Sequence, residues 1–413
     1  MHNVYNFLIK AASFGLSIIA QFSPKMKQFI NGRKNVFETL QKHISPSDKT
    51  IWFHCASLGE FEQGVPIIEE IKKIKPNHEI IISFFSPSGF EVKKNTPLAD
   101  LVVYLPLDTP SNAKRFLNIM HPSLVFFIKY EFWPNYLFEL KKKEIPVLLI
   151  SGVFNESHIF FKSYGGFMRR ALRTIDHFFV QDENSKALLN TIEIKDVTVS
   201  GDTRFDRVTK QLQMDNKLKF AENFKGNSLC IVCGSTWPED EKLLLDFINH
   251  SESGVKFIIA PHKIEADKIE KLQNSIVKKT ILHSQVDQVD ISQYSVLIID
   301  CIGLLSKLYS YADIAYVGGA AGKTGLHNVL EPATFSLPIV IGENFQEFPE
   351  AVQLKKIQGL FSVKTTDQCD KILTRLVVDT SFRTKTGEIS GDFVSKNTGA
   401  TSTVLNYITS RFR

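Results

Sequence analysis

From residue 50 onward, short apolar runs alternate with tracts whose apolar residues recur at helical spacing. The runs Ile51–His54, Ile80–Phe84, Leu101–Tyr104, Leu124–Ile128, Val147–Ser151, Phe178–Val180 and Val197–Val199 read as buried strands, rich in β-branched and aromatic residues. Between them lie segments such as "TPSNAKRFLNIM" and "ENSKALLN", in which capping residues precede the apolar periodicity. The tract Lys210 to Asn227 is polar and lysine-rich, without a strand signal, and reads as a linker or an exposed helix. The pattern then restarts with Leu229–Cys233, Phe257–Ala260, Val296–Asp300, Ile314–Val317 and Ile339–Ile341, and ends in a helical stretch, Gly399 to Phe412. Strands alternating with helices argue for parallel, doubly wound sheets. The expectation is an α/β protein of two Rossmann-like domains facing a central cleft. Its parts are an N-terminal segment 1–35, a first domain 36–209, a linker 210–227, a second domain 228–395 and a terminal helix 396–413.

Charge changes the reading only at the start. Residues 1–50 hold seven Lys or Arg against Glu38 and Asp48, an excess equal to the net +5 of the whole chain. This basic segment adjoins the apolar stretch "VYNFLIKAASFGLSIIAQF", Val4 to Phe22, which Lys10 interrupts. The uncharged run is short of the ~20 residues of a spanning helix. No small-residue cleavage site follows it, against a cleaved signal peptide. A helix lying in the interface of an anionic membrane fits, with the Lys25 to Lys34 cluster on the headgroups, and is favoured over nucleic-acid binding. The alternative is a core helix packed on the first domain. Five scattered cysteines suit a reducing compartment. Cys230 and Cys233 sit in a strand at a spacing that sends them to opposite faces, so they read as core residues rather than metal ligands.

Candidate chemistry gathers after strand ends, where open α/β folds keep their ligands. In "IWFHCASLGEFEQG", Glu60 follows a Ser57-Leu58-Gly59 turn past the first strand. It reads either as a solvated acid at a helix start or as a functional carboxylate. In "LVFFIKYEFWPN", Glu131 holds the matching position after another strand, where it could instead cap the Trp-Pro helix. Two carboxylates on one rim can divide labour, one acting as base. In the second half, Gly234-Ser235-Thr236 reads as a loop with free N–H groups for an anion and hydroxyls to cap a helix. Pro261-His262-Lys263 places two potential cations at a strand end. The segment "YVGGAAGKTGLHNVLEPATFSLPIVIG" brings Gly318, Gly319, Gly322 and Gly325 ahead of His327, Asn328 and Glu331. It matches neither a Walker A loop nor a dinucleotide fingerprint. Glu331, one turn into a helix, could accept ribose hydroxyls or be a surface residue, and His327 could cap or pack. No Asp-x-Asp pair or His cluster stands at metal-ligand spacing, so neither a catalytic metal nor a cofactor is expected.

The joint occurrence of "HCASLGE", "KYEFWPN", "GDTRFD", "GSTWPEDE", "APHK" and "GGAAGKTGLHNVLEPA", in this order, resembles the 3-deoxy-D-manno-octulosonic acid (Kdo) transferases of lipopolysaccharide biosynthesis in Gram-negative bacteria. The resemblance implies a GT-B fold, an acceptor-binding first domain and a CMP-sugar-binding second domain. It implies inverting transfer of Kdo from CMP-Kdo to the lipid A precursor lipid IVA at the cytoplasmic face of the inner membrane. It makes Glu60 the general base and Glu131 a functional partner, and has Gly318, Gly319, Asn328 and Glu331 hold the CMP. The chain departs from the family where Pro261-His262-Lys263 replaces Pro-Arg-His, where Thr324-Gly325-Leu326-His327-Asn328 replaces Gly-Gly-His-Asn, and where "SGVFNESH" replaces Asn-Ala-Arg-Leu-Ser. Alternatives are another GT-B enzyme, a nucleotide-sugar 2-epimerase, which needs neither anchor nor acceptor, and a non-catalytic membrane-docked nucleotide-binding protein.

Overall fold

A computed structural model describes residues 1–412. The chain divides into two compact units, one running from Met1 to Arg207 and rejoined from Thr398 onward, the other Val208–Asn397.

The first unit is built on β1 (Thr50–Cys55), β2 (Glu79–Phe84), β3 (Leu101–Tyr104), β4 (Pro122–Ile128), β5 (Val147–Gly152), β6 (His177–Val180) and β7 (Val197–Val199). They form one seven-stranded sheet in the order β3-β2-β1-β4-β5-β6-β7, with every pairing parallel. All six residues of β1 are buried, as a central strand covered on both faces requires. Their side chains alternate between two apolar layers: Trp52 joins one, Ile51 and Phe53 the other. The strand order reverses between β1 and β4, which makes their carboxyl ends the switch point where such sheets bind ligands.

The second unit repeats the plan with β8 (Leu229–Thr236), β9 (Val255–Pro261), β10 (Thr280–Leu282), β11 (Val296–Ile298), β12 (Ile314–Val317), β13 (Ile339–Ile341) and β14 (Leu360–Ser362). The order is β10-β11-β9-β8-β12-β13-β14, again all parallel, and the switch point falls between β8 and β12. Cys230 and Cys233 enter opposite apolar layers as free thiols, as their strand spacing requires. β10 and β14 were not legible as strands because each is a three-residue edge strand with a single neighbour and little apolar run.

Three segments depart from the sequence reading. The stretch 210–227 is no free linker: it contains the helix Lys219–Lys225, whose Ala221 and Phe224 are buried in the second unit's core. The terminal helix Ala400–Arg411 belongs to the first unit, where Val404 and Ile408 pack in the layer that holds Ile67 and Ile71. Burying each stabilises the return by roughly 1.5–3 kcal/mol. Asp206 fixes the start of that helix by accepting from the Gly399 and Thr401 N–H groups, both at 2.6 Å.

The third departure concerns Arg33 in the basic N-terminal segment. His2–Ile19 is one helix, and among the described residues no helix is long and apolar enough to cross a membrane. Its polar side meets the first unit: Tyr5 donates to Asp108 at 2.7 Å, His2 meets Asn135 at 2.8 Å, and Asn135 donates to Asn6 at 2.9 Å. The opposite side leaves Val4, Phe7, Leu8, Phe14, Ile18 and Ile19 exposed, residues that share a face at helical spacing. Lys25, Lys27 and Lys34 are exposed, but Arg33 is not part of a basic cluster. Its guanidinium donates to the carbonyls of Phe29, Phe85 and Leu105 and lies 3.6 Å above the Phe29 ring. Burial lowers its pKa to about 10.

Candidate functional site

The loop after β1 does not stop at a Ser-Leu-Gly turn. The helix Leu58–Ile74 begins at once, Ser57 is its N-cap residue without a side-chain cap bond, and Glu60 lies in the first turn. Glu60 reaches back to accept from the Ala56 N–H, the use of a first-turn acid that helix starts favour. Yet the carboxyl is only 6% exposed. Burial, followed by the charge of Glu131, raises its pKa to about 8, against the pull of the Ala56 N–H and Lys129. Glu60 is thus not the solvated acid of the helix-start reading: one residue serves its helix start and carries a buried carboxylate of raised pKa.

Glu131 follows β4, the strand beside β1, so the switch point brings the two acids to one rim. It does not cap the Trp-Pro helix. That helix, Pro134–Lys142, has its Asn135 and Tyr136 N–H groups held by Asp108, a buried acid, each at 3.1 Å. Glu131 instead accepts from the Trp133 indole at 2.9 Å and lies 3.4 Å from the fully buried His54. Lys129, in the left-handed region at φ 68°, turns the chain here. Sequence reasoning missed Lys129, Asp108 and His54, although all lie in or near the quoted motifs, because their roles depend on strand adjacency rather than spacing.

In the second unit β8 runs through Gly234, Ser235 and Thr236, with a register shift against β9 and Ser235 at φ 54°. These residues are thus strand end rather than loop, and their hydroxyls do not cap the next helix: Thr236 donates to Glu241 at 3.1 Å. Asp240, unremarked in the sequence, does the capping. It is fully buried and accepts from the N–H groups of Trp237 (3.0 Å), Gly319 (2.8 Å) and Ala321 (3.3 Å) and from the Tyr316 hydroxyl (2.9 Å). One carboxylate thereby joins the β8 loop to the Gly-rich loop after β12. Gly318 must lack a side chain, since a Cβ there would stand 2.3 Å from the Ser235 carbonyl oxygen, and Gly319 has φ 97°.

The same rim gathers three rings. His262 stacks on Trp237 (centroids 4.6 Å apart) and lies tilted against His327 (4.4 Å), and the Trp237 indole donates to His327 at 3.2 Å. Burial brings the His327 pKa down to about 4 and lowers that of His262 as well. Neither imidazole is therefore the cation expected at this strand end. That leaves Lys263, half exposed, 5.4 Å from the Trp237 ring centroid. Asn328 accepts from the Leu330 N–H at 3.0 Å and donates to Glu331 at 3.3 Å, so the two polar residues of the segment hold one another. Gly325, at φ 95°, makes the turn before them. Among the described residues no group of three or more His, Cys, Asp or Glu is placed to hold a metal ion.

The quoted "GDTRFD" motif proves architectural. Asp202 accepts from Gln63 and from Arg204, and Thr203 donates to the Gln63 carbonyl at 2.5 Å, tying the helix behind Glu60 to the chain's exit from the first unit.

Two parallel Rossmann-like sheets with polar clusters at both switch points define a two-domain α/β protein. The UDP-GlcNAc 2-epimerase of Neisseria meningitidis, solved with UDP-GlcNAc, superposes with a TM-score of 0.61 over 88% of this chain and 100% of that one, at 15% identity. MurG of Acinetobacter baumannii gives 0.54 over 88% and 99%, at 13% identity. Residues 31–207 match the family described as 3-deoxy-D-manno-octulosonic-acid transferase (kdotransferase). The 3-deoxy-D-manno-octulosonic acid transferase of Haemophilus influenzae is 24% identical over 95% of this chain and 93% of its own, and that of Aquifex aeolicus 27% over 84% and 92%. A bifunctional glycosyltransferase/methyltransferase of Fusobacterium nucleatum is 26% identical over 90% of this chain, which spans 58% of that protein's length. By these matches the chain is similar to the Kdo transferases.

Proposed function

We propose that the chain is an inverting GT-B glycosyltransferase that moves Kdo from CMP-Kdo to lipid IVA in lipopolysaccharide core assembly. The observation that carries this reading is the buried, abnormally basic Glu60 beside Glu131 at the first sheet's switch point. A sugar hydroxyl is a poor nucleophile, and a carboxylate of raised pKa can take its proton as the new carbon–oxygen bond forms. The CMP leaving group needs hydrogen-bond donors and positive charge rather than a proton. Ser235, Thr236, Lys263, Gly318, Gly319, Gly325 and Asn328 form the donor side of this reading, with Glu331 on the ribose hydroxyls and the neutral rings of His262 and His327 against the donor. No cofactor enters the scheme. Incubating the purified protein with CMP-Kdo and lipid IVA should raise the lipid's mass by one or more Kdo residues; an unchanged lipid rejects the assignment.

Removing the Glu331 carboxylate should weaken CMP binding. A hydrogen bond to a charged group is worth ~1.5–3 kcal/mol, so Glu331→Ala should raise the calorimetric Kd at least about tenfold. An unchanged Kd would show that the ribose is held elsewhere.

The N-terminal helix supports docking on an anionic membrane at the cytoplasmic face, because its polar side is spent on the protein and its apolar side is exposed. Phe7→Glu with Phe14→Glu should leave the fold intact and abolish co-sedimentation with anionic vesicles. Each exposed Lys near the surface adds ~1 kcal/mol, so raised salt should weaken wild-type attachment without ending it. Undiminished sedimentation of the double variant would move the contact off this helix.

A further inference from the structure

The helix His2–Ile19 spends more of itself on the protein than an anchor requires. Its opening turn is seated on the start of the helix Pro134–Lys142, which follows directly on Glu131 and Trp133. That helix has no cap of its own: Trp133 stands at the N-cap position without a side-chain cap bond. Its free N–H groups are served from another loop, by the buried Asp108, which accepts from Asn135 and Tyr136 at 3.1 Å each. A further donor to Asp108 is the Tyr5 hydroxyl, at 2.7 Å. Burial raises the Asp108 pKa, and Tyr5 is foremost among the donors that act against the rise.

Asn135 closes the same contact. Its amide N–H₂ donates to the Asp108 carbonyl at 2.7 Å and to Asn6 at 2.9 Å, and its Oδ1 faces His2 Nε2 at 2.8 Å. The ring centroids of Tyr5 and His2 lie 5.3 Å and 5.6 Å from that of Phe167. A second grip comes from Arg33, later in the same segment. It donates to the Phe85 carbonyl, and the Phe85 ring packs on that of Trp133 with centroids 4.6 Å apart. Trp133 in turn donates to Glu131 at 2.9 Å. The Glu131–Trp133 loop is thus held on two sides by the N-terminal segment: through Asp108 and Asn135 at the helix start, and through Phe85 behind the Trp133 ring.

We propose that Tyr5 is a positioning residue for the Glu131–Trp133 loop, acting through Asp108 and Asn135, with Arg33 as a second support through Phe85. The segment that presents an apolar face outward thereby also sets the rim of the first sheet. An anchor works by local concentration and needs only its exposed face. A hydroxyl given to the buried acid that caps another helix adds nothing to that. Its loss is felt at the helix start it serves, one residue beyond Trp133. As a role in transfer, the inference rests on the reading of Glu131 as part of the reaction; the link between Tyr5 and Trp133 does not.

Tyr5→Phe removes one hydroxyl and keeps the ring against Phe167. Indole nitrogen-15 spectra of the full chain, which has three tryptophans, need no turnover, and Trp133→Phe identifies the Trp133 peak. In Tyr5→Phe that peak should move while the peak of Trp237, in the other unit, stays. Arg33→Lys, which keeps a charge but not the planar fork, should move the same peak from the other side. Asn6→Ala, which removes a single bond to Asn135, reads the same seat should Tyr5→Phe cost the fold. With CMP-Kdo and detergent-dispersed lipid IVA, Tyr5→Phe should lower kcat by roughly fivefold or more, with the KM for CMP-Kdo within about twofold. Its co-sedimentation with anionic vesicles should equal that of wild type, which separates the seat from the anchor. Asn3→Ala, exposed on the same turn, should change none of these. An unmoved Trp133 peak in the folded variants, a kcat equal to wild type, or a loss of activity that merely tracks lost vesicle binding overturns the proposal. A wild-type chain inactive on these substrates, with Trp133 still answering to Tyr5→Phe, would reject the reaction and leave the positioning link standing.

Discussion

Glu60→Gln should abolish transfer while leaving CMP affinity close to wild type. The amide keeps the shape of the side chain and can still accept from the Ala56 N–H, but it cannot take a proton. Loss of a general base costs ~10²–10⁴ in rate. The nucleotide-holding residues of the proposal all lie in the other unit, so calorimetry with CMP should be unaffected. The pH dependence sharpens the test. Wild-type kcat/KM should climb through a midpoint near pH 8, where Glu60 ionises. Glu131→Gln removes the like charge that helps hold Glu60 protonated, so any residual activity should climb at lower pH.

Stability should move in the opposite direction to activity. A folded-state pKa near 8 for an acid whose ordinary value is 4.5 means that the folded chain binds this proton more tightly than the unfolded one. Stability from this group is therefore complete below pH 4.5 and is lost as pH rises through about 8. Glu60→Gln, neutral throughout, should match wild type below pH 4.5 and exceed it by roughly 1–3 kcal/mol at pH 9. Near-normal turnover, or a midpoint that ignores Glu131, would remove Glu60 from the role of base.

The two sheets were legible because parallel strands buried on both faces spell nearly continuous apolar runs, and twelve such runs stand clear of their flanks. What escaped was short or non-local. β10 and β14 have one neighbour each, and the terminal helix shows its apolar stripe but not which sheet it covers. At the site, Glu60 and Glu131 could be placed on one rim because each follows a strand in the same half. The buried groups that surround them could not. His54 reads as one more residue of a buried strand until β2 puts Ser83 beside it and β4 puts Glu131 above it. Of the two potential cations at Pro261-His262-Lys263, His262 falls away for a similar reason: packing between Trp237 and His327 buries its imidazole, and no spacing rule reports such a contact.

Asp240 is where the second unit is most sensitive. In the sequence it is one of three consecutive acids, Glu239-Asp240-Glu241, at a helix start, and nothing distinguishes it from its neighbours. In the fold it is the fully buried meeting point of four donors from the β8 loop, β12 and the Gly-rich loop. Burial raises its pKa and the four donors act against that shift. Asp240→Ala strands those donors in a site that water does not reach. Each unpaired buried donor costs ~1–3 kcal/mol, and partial rearrangement should hold the total to about 3–5 kcal/mol. In a unit of this size 1 kcal/mol moves the midpoint by ~2–4 °C, so its melting transition should fall by roughly 6–20 °C. Asp240→Asn separates stability from function. Its carbonyl can still serve some of the donors, so it should fold, but its amide N–H₂ must face another N–H group and push the Gly318–Ala321 backbone out of place. CMP affinity should then drop about tenfold or more with a smaller loss in melting temperature. Glu239→Ala, at an exposed position on the same turn, should change neither quantity. If the Asn variant binds CMP as wild type does, the loop that Asp240 holds is not the nucleotide's seat, and the donor side of the proposed reaction must be sought on another edge of the second sheet.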